Sequence, residues 1–178
     1  MAKLLGILRH AKSEWDESVK RDFDRGLNDR GRRGAVLIGQ HVRDHAIAWD
    51  TLIASPAVRL KETLELAELG IEPRYEDRLY LASAQTIIEL IEGLSGPDEP
   101  DAILVAGHNP GLQETLLELV APARENDLFR EATVKFPTSA FAVLECEIES
   151  WAGLKPRCAT MIHFARPRDL DPALGPQN

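Results

Sequence analysis

Apolar residues recur along this chain in two rhythms. Short, mostly apolar runs occupy residues 3–8, 51–54 and 102–106, and each stops at a polar or glycine residue, the pattern of strands buried on both faces. Between them the spacing changes to threes and fours. Ala35, Val36, Ile38, Gly39 and Val42 turn inward against Arg32, Arg33, Gln40 and Arg43; Ile87, Ile88, Leu90 and Ile91 follow Ser83; Leu112, Leu116, Leu117 and Val120 follow Pro110. These spacings predict amphipathic helices. Asn28 and Ser83 are suited to cap two of them, and Pro56 suits the first turn of another that reaches to about residue 69. A weaker extended segment covers 72–75, and further strands are expected at 140–148 and 160–165. The Pro-rich segment 167–178 is expected to be loose.

Strands alternating with helices of this length predict a three-layer α/β/α sandwich, with a mostly parallel central sheet and helices on both faces. The expected organisation is a single domain over 1–166 followed by the tail. In such sheets ligands bind beyond the carboxyl ends of the strands. Three predicted strands end there in groups suited to phosphate: Arg9 and His10 after the first, Ser55 and Arg59 after the second, His108 and Asn109 after the third.

Composition narrows the partners. The 178 residues carry a formal net charge of −8 and no long run of Lys and Arg, which argues against nucleic acid. Only Cys146 and Cys158 are present, so neither a disulfide framework nor a zinc ribbon is expected, and a reducing, cytoplasmic setting fits. The first residues offer no secretory h-region, and no stretch approaches the roughly 18 to 20 apolar residues that cross a bilayer.

Phosphoryl transfer requires an in-line nucleophile and positive or hydrogen-bonding groups around the equatorial oxygens. A neutral imidazole can attack phosphorus through one nitrogen while the other, donating to a backbone carbonyl, fixes the tautomer. Arginine holds two phosphate oxygens in one planar fork and keeps its charge. N–H groups at the start of the helix after Asn109 are expected to add donors. No metal or cofactor is required by this set.

Arg9-His10-Ala11-Lys12-Ser13-Glu14-Trp15-Asp16, Ser55-Pro56-Ala57-Val58-Arg59 with Glu62-Thr63, and Gly107-His108-Asn109 resemble, in order, the three signatures of the histidine phosphatase, or phosphoglycerate-mutase-like, superfamily. The resemblance spans residues 3 to roughly 165 and is strongest to the small SixA-type phosphohistidine phosphatases. It implies the phosphoglycerate-mutase-like fold, His10 as the nucleophile that becomes phosphorylated, and Arg9, Arg59 and His108 around the phosphoryl group. It further implies substrate contacts from Arg25, Ser55, Asn109 and Asp16. Three departures stand out: Ala11 replaces the usual glycine, Asp16 a common asparagine, and Leu81 a catalytic acid that many mutases and acid phosphatases carry. With no dedicated acid, a phosphohistidine is a better substrate than an alkyl phosphate, because an imidazole nitrogen can be protonated before it leaves. Glu76 and Asp77 are the neighbouring carboxylates that could take the acid's place.

The short interval between Arg59 and His108 leaves little chain for a lid, which suits a phosphatase over a mutase. The expected function is therefore a metal-independent phosphatase with a phosphohistidine intermediate, acting on a phosphotransfer or signalling protein. Alternatives are a phosphatase of small phosphate esters or anhydrides, and a non-catalytic phosphate-sensing module on the same fold. His41 and His45 share the i, i+4 spacing of some zinc ligands but lack a third, and are expected to be surface residues; His163 is expected to be structural.

Overall fold

The computed structural model describes residues 2–15, 18, 19 and 21–175. Among them, six strands form one sheet in the order β3-β2-β4-β1-β5-β6. They are β1 (Lys3–Arg9), β2 (Thr51–Ala54), β3 (Pro73–Tyr75), β4 (Ala102–Gly107), β5 (Phe141–Cys146) and β6 (Ala159–Ala165). The first four are parallel, with Leu5 opposite Ile103 and Leu52 opposite Leu104. β5 runs against both of its neighbours, so β6 points the same way as β1. The sheet is thus mostly parallel, with β5 the exception.

Helices α1 (Asp29–Asp44), α2 (Val58–Ala67), α3 (Ala84–Glu92), α4 (Gly111–Leu119), α5 (Asp127–Val134) and the single turn α6 (Pro167–Leu170) complete the fold. Alternation along the strands divides the core in two. Leu5, Ile7, Ile103 and Val105 pack with Ile87 of α3, Leu112 and Leu116 of α4 and Phe129 of α5. Leu8, Leu52, Leu104 and Ala106 pack on the other face with Ile38 and Val42 of α1 and Leu60 and Leu64 of α2. Burial on both faces is why the strands read as unbroken apolar runs.

Asn28 caps α1, its Oδ1 accepting the Gly31 N–H at 2.7 Å, and Ser83 caps α3, its Oγ accepting the Thr86 N–H at 3.3 Å. Gly31 lies where α1 meets the loop after β1, and a Cβ on it would come within 1.9 Å of the Lys12 carbonyl oxygen. Only glycine permits that approach.

The segment between α4 and β5, for which the sequence offers no periodicity, carries a helix, α5, capped by Asn126, whose Oδ1 accepts the Phe129 N–H at 3.0 Å. Of the tail expected to be loose, residues 167–175 hold α6 and a 3-10 turn at Pro172–Leu174, with Leu170 packed against the core on the α1 face, and residues 176–178 lie outside the described residues. Arg166 and Asp169 close the start of α6 reciprocally, Arg166 N–H donating to Asp169 Oδ2 at 2.9 Å and Asp169 N–H to the Arg166 carbonyl at 3.0 Å.

Candidate active site

β1, β2 and β4 end on one edge of the sheet, and the side chains that follow them meet there. Arg9, His10, Arg25, Arg59, His108 and Asn109 line a single cavity of about 460 Å³, together with Asp22 and Leu81, and with Lys12, Lys135 and Thr138.

His10 Nδ1 lies 2.7 Å from the Ala11 carbonyl oxygen, so Nδ1 carries the hydrogen and donates it, leaving the Nε2 lone pair free. The peptides around the ring are fixed as well. Ala11 N–H donates to Thr63 Oγ1, and Ser139 N–H donates to the His10 carbonyl, both at 2.9 Å. Ala11 itself is fully buried in a backbone conformation open to any residue, which accounts for a methyl group where the family usually has glycine. Burial is the main influence on the imidazole. Against the opposing pull of the Ala11 bond, desolvation, Arg9, Arg59 and His108 hold its pKa down to about 3. His10 is neutral at pH 7.

The His108 ring centroid is 5.4 Å from that of His10. Arg59 Nη2, which can only donate, lies 3.3 Å from His108 Nδ1, so the hydrogen of His108 sits on Nε2 and is donated to Ser55 Oγ at 2.7 Å. Desolvation, then the Arg59 charge, lowers His108 to about 3, with Asp22 opposing. One carbonyl ties two loops together: Phe136 O accepts from Arg9 Nη1 at 3.0 Å and from Asn109 Nδ2 at 2.9 Å.

Asp22 organises the cations. Its Oδ2 accepts from Arg59 Nη2 at 3.0 Å and from the Tyr80 hydroxyl at 2.5 Å, and its Oδ1 accepts from Arg25 Nε at 3.0 Å. Its backbone carbonyl takes Arg59 Nη1 at 2.9 Å. Partial burial would raise this carboxyl, but the bonds from Tyr80 and Arg59 and the charges of Arg59 and Arg25 hold it near 2. Among the described residues lining the cavity, Asp22 is the one acid facing Arg9, Lys12, Arg25, Arg59 and Lys135. A positive cavity stands in a chain of net charge −8. It is built for an anion.

The sequence pattern of the histidine phosphatase superfamily (branch 1) matches residues 5–80. The SixA structure from Agrobacterium tumefaciens, a candidate phosphohistidine phosphatase, is 31% identical, with 94% of this chain and 99% of that one covered at a TM-score of 0.73. This chain belongs to the histidine phosphatase superfamily. Within it the likeness is to the SixA-type branch: SixA from Nakamurella multipartitia, also a candidate phosphohistidine phosphatase, superposes with a TM-score of 0.82 at 29% identity, over 94% of this chain and 97% of that one. An uncharacterised protein of Mycobacterium tuberculosis is 35% identical over 162 residues, which cover 90% of this chain and all of that protein.

Within the family pattern, several expected contacts fall elsewhere. Ser55 is fully buried behind His108 and does not line the cavity, so it orients that ring and does not reach a ligand. The N–H groups of Leu112, Gln113 and Glu114 donate within α4's own start, to His108 O, Asn109 Oδ1 and Pro110 O, so they are not free for an anion. Asp16 lies outside the described residues. Glu76 and Asp77 do not line the cavity, whereas Leu81 does, in a left-handed conformation at φ 50° with its side chain exposed. His41 and His45 are not free surface residues: both stack on His163, at 5.0 and 4.0 Å between centroids. Among the described residues, no cluster of His, Cys, Asp or Glu is arranged to hold a metal.

Asp22, Tyr80, Lys135 and Thr138 escape the motif reading. Asp22 carried one signal, its i, i+3 spacing to Arg25 in a charged loop. Lys135 and Thr138 sit between α5 and β5, where the sequence has no periodicity to place them.

Proposed function

We propose that this protein is a phosphatase that passes the phosphoryl group through His10, and that its preferred substrate is phosphohistidine on a phosphotransfer or signalling protein. The observation that carries the reading is the neutral imidazole of His10, its Nδ1–H pinned to Ala11 O and its Nε2 free, in a cavity lined by five cations and, among the described residues, one acid.

Arg9, Arg25 and Arg59 receive the phosphoryl oxygens, and their charge stabilises the oxygens as the transition state forms. His10 Nε2 attacks phosphorus as the bond to the leaving nitrogen breaks. That nitrogen takes a proton from solvent and departs as a neutral ring. Water then attacks the phosphohistidine, the bond to Nε2 breaks, and orthophosphate leaves with His10 restored. His108, held between Arg59 and Ser55, flanks the transferred group. In this scheme the positive charge comes from the arginines, and the chemistry calls for no metal.

The substrate preference is supported by Leu81, an apolar side chain where many relatives of other branches carry the acid an alkoxide needs, and by a rim formed of the exposed Lys12, Leu81 and Lys135. The name phosphohistidine phosphatase attached to the two SixA relatives points the same way. The test compares kcat/KM on a phosphohistidine-bearing protein with that on aryl and alkyl monophosphates, and looks for an acid-labile phosphoenzyme. The expected order is phosphohistidine, then aryl, then alkyl. A strong preference for alkyl esters overturns the substrate assignment, and hydrolysis that survives in His10→Ala overturns the mechanism.

A further inference from the structure

A second, smaller cavity of about 130 Å³ adjoins the first. The two share Lys12, Lys135, Pro137 and Thr138 in their linings, so one ligand can occupy both. Gly31 and Gly34 of α1 and Ser139 also line it, and Arg30, Arg166 and Arg168 add charge. Five cations therefore line this cavity, counting Lys12 and Lys135, and no acidic residue does. Arg166 is balanced from outside by Asp169 at 3.0 Å and Glu131 at 3.7 Å. Lys12, Lys135 and Arg168 form no ion pair among the described residues.

An independent observation concerns Ser139. It is 1% exposed, and its Oγ is buried with no hydrogen-bond partner among the described residues. Leaving a buried hydroxyl unpaired is costly, so such groups normally mark the place of a missing partner. A Cβ built on Gly34 would stand 3.4 Å from this Oγ and 3.8 Å from Pro167, so the hydroxyl faces the space that the absent side chain leaves open. The same residue donates its N–H to the His10 carbonyl at 2.9 Å, which fixes this hydroxyl relative to the imidazole.

We propose that the small cavity is a second oxyanion subsite, which takes a phosphate or carboxylate group carried by the same substrate whose phosphoryl group lies at His10. Ser139 Oγ donates to that group, and Arg30, Arg168 and the shared lysines balance its charge. This rests on the phosphatase reading above and adds a selection rule: substrates with a second anion at the right spacing are preferred over those with one. The oxyanion can come from an acidic side chain near a phosphohistidine or from a second phosphate on a small molecule.

The test uses Arg168→Glu and Ser139→Ala, neither of which lines the catalytic cavity. Substrates are an aryl monophosphate, a small alkyl bisphosphate with its monophosphate counterpart, and phosphohistidine peptides with and without neighbouring Asp and Glu. Wild type is expected to favour a two-anion substrate over its one-anion counterpart. Each variant should lose about tenfold in kcat/KM on it, the equivalent of one charge-assisted hydrogen bond, while Arg168→Glu stays within about twofold on the aryl monophosphate. Gain from flanking acids identifies a protein source, and gain from the second phosphate a small-molecule source. A direct readout that needs no turnover is a titration with inorganic phosphate followed by the amide NMR signals of Gly34 and Gly175, which line the small cavity and not the catalytic one. These should shift in wild type and not in Arg168→Glu. If they shift while no phosphate is hydrolysed, the subsite stands and the phosphatase reading falls. If the two-anion substrates gain nothing, or the variants affect every substrate equally, or the amides stay still, the subsite is overturned.

Discussion

Asp22 and Arg59 form the pair around which the cavity is set: the carboxylate Oδ2 lies 3.0 Å from Nη2 of an arginine that is only 2% exposed. The same carboxylate fixes Arg25 and Tyr80. The neutral substitution Asp22→Asn removes the anion that restrains two forks while adding positive potential to the cavity. Turnover is expected to fall about 10- to 100-fold, as oriented charge is lost from the transition state. Inhibition by inorganic phosphate should be unchanged or stronger. Steady-state kinetics with phosphate inhibition checks both, and weaker phosphate binding together with unchanged kcat would contradict the role.

Ser55 acts through His108. Its Oγ takes the Nε2 hydrogen at 2.7 Å, which leaves Nδ1 as the acceptor that Arg59 meets. Ser55→Ala leaves the Nε2 hydrogen without its acceptor and loosens the orientation of the ring, and kcat should drop about tenfold with little change in stability beyond about 1 kcal/mol. Ser55→Thr, which keeps the hydroxyl, should recover part of the loss. Equal kcat in Ser55→Ala and wild type would show that the bond does not matter to turnover.

Much of this was legible in the sequence because the signals were local. Asn28 and Ser83 cap the helices they were expected to cap, and the residues closing β1, β2 and β4 do meet at one edge. Direction was less accessible. The β5 segment, Phe141–Cys146, is almost wholly buried, and an apolar run reads the same whichever way the strand points. α5 was hidden by its brevity, with only the Asn126 cap to announce it. Asp22 was hidden by its surroundings: it lies in a charged loop where an acid reads as solvated, and its partners Arg59 and Tyr80 are brought to it only by tertiary structure. The helix-start donors were a local expectation met only in part, because the N–H groups of Leu112, Gln113 and Glu114 are already taken by Asn109 and the chain itself.

Acid should destabilise the fold through its buried rings. His10 and His108 titrate near 3 in the folded protein and near 6.5 when unfolded, so between those values the unfolded chain binds protons that the native one refuses. Stability is then lost as pH falls from about 6.5, by roughly 2 kcal/mol per ring at pH 5. His163, lowered to about 4, adds the same sign, and Asp22, lowered to about 2, extends the loss below pH 4. Urea denaturation at pH 7 and pH 5 measures the difference, and His108→Gln should flatten it. Equal midpoints at the two pH values would mean that the rings are not excluded from protonation.

The approach of α1 to the loop after His10 predicts a backbone failure. A methyl on Gly31 meets the Lys12 carbonyl at 1.9 Å, and that carbonyl also accepts the Asn28 N–H at 3.1 Å. Neither partner is a flexible side chain, so Gly31→Ala must displace the loop. The expected cost is about 1–3 kcal/mol, with a loss of kcat that exceeds the effect of Gly34→Ala, where the new methyl finds no contact closer than 3.4 Å. Thermal melts and kinetics of the two variants, compared directly, decide it.

Leu81 offers the sharpest test of substrate choice. Its side chain is 56% exposed and lines the catalytic cavity from a left-handed backbone that disfavours leucine and glutamate alike, so Leu81→Glu changes chemistry with little change in strain. A carboxyl there can protonate a departing alkoxide, the step that limits alkyl esters; a well-placed general acid contributes about 10²- to 10⁴-fold, and one introduced by a single substitution should give about tenfold. The nearby arginines favour its ionised form, so the gain should grow toward pH 5, where more of it carries a proton. Its negative charge should also raise KM for every anionic substrate. The expected signature is therefore a higher kcat on alkyl monophosphates, concentrated at low pH, with kcat on phosphohistidine nearly unchanged. Leu81→Gln, equal in shape and without the acidic proton, should raise KM little and leave kcat where it was. If glutamate and glutamine behave alike on alkyl esters, proton donation does not limit this site, and the proposed preference for phosphohistidine must come from binding instead.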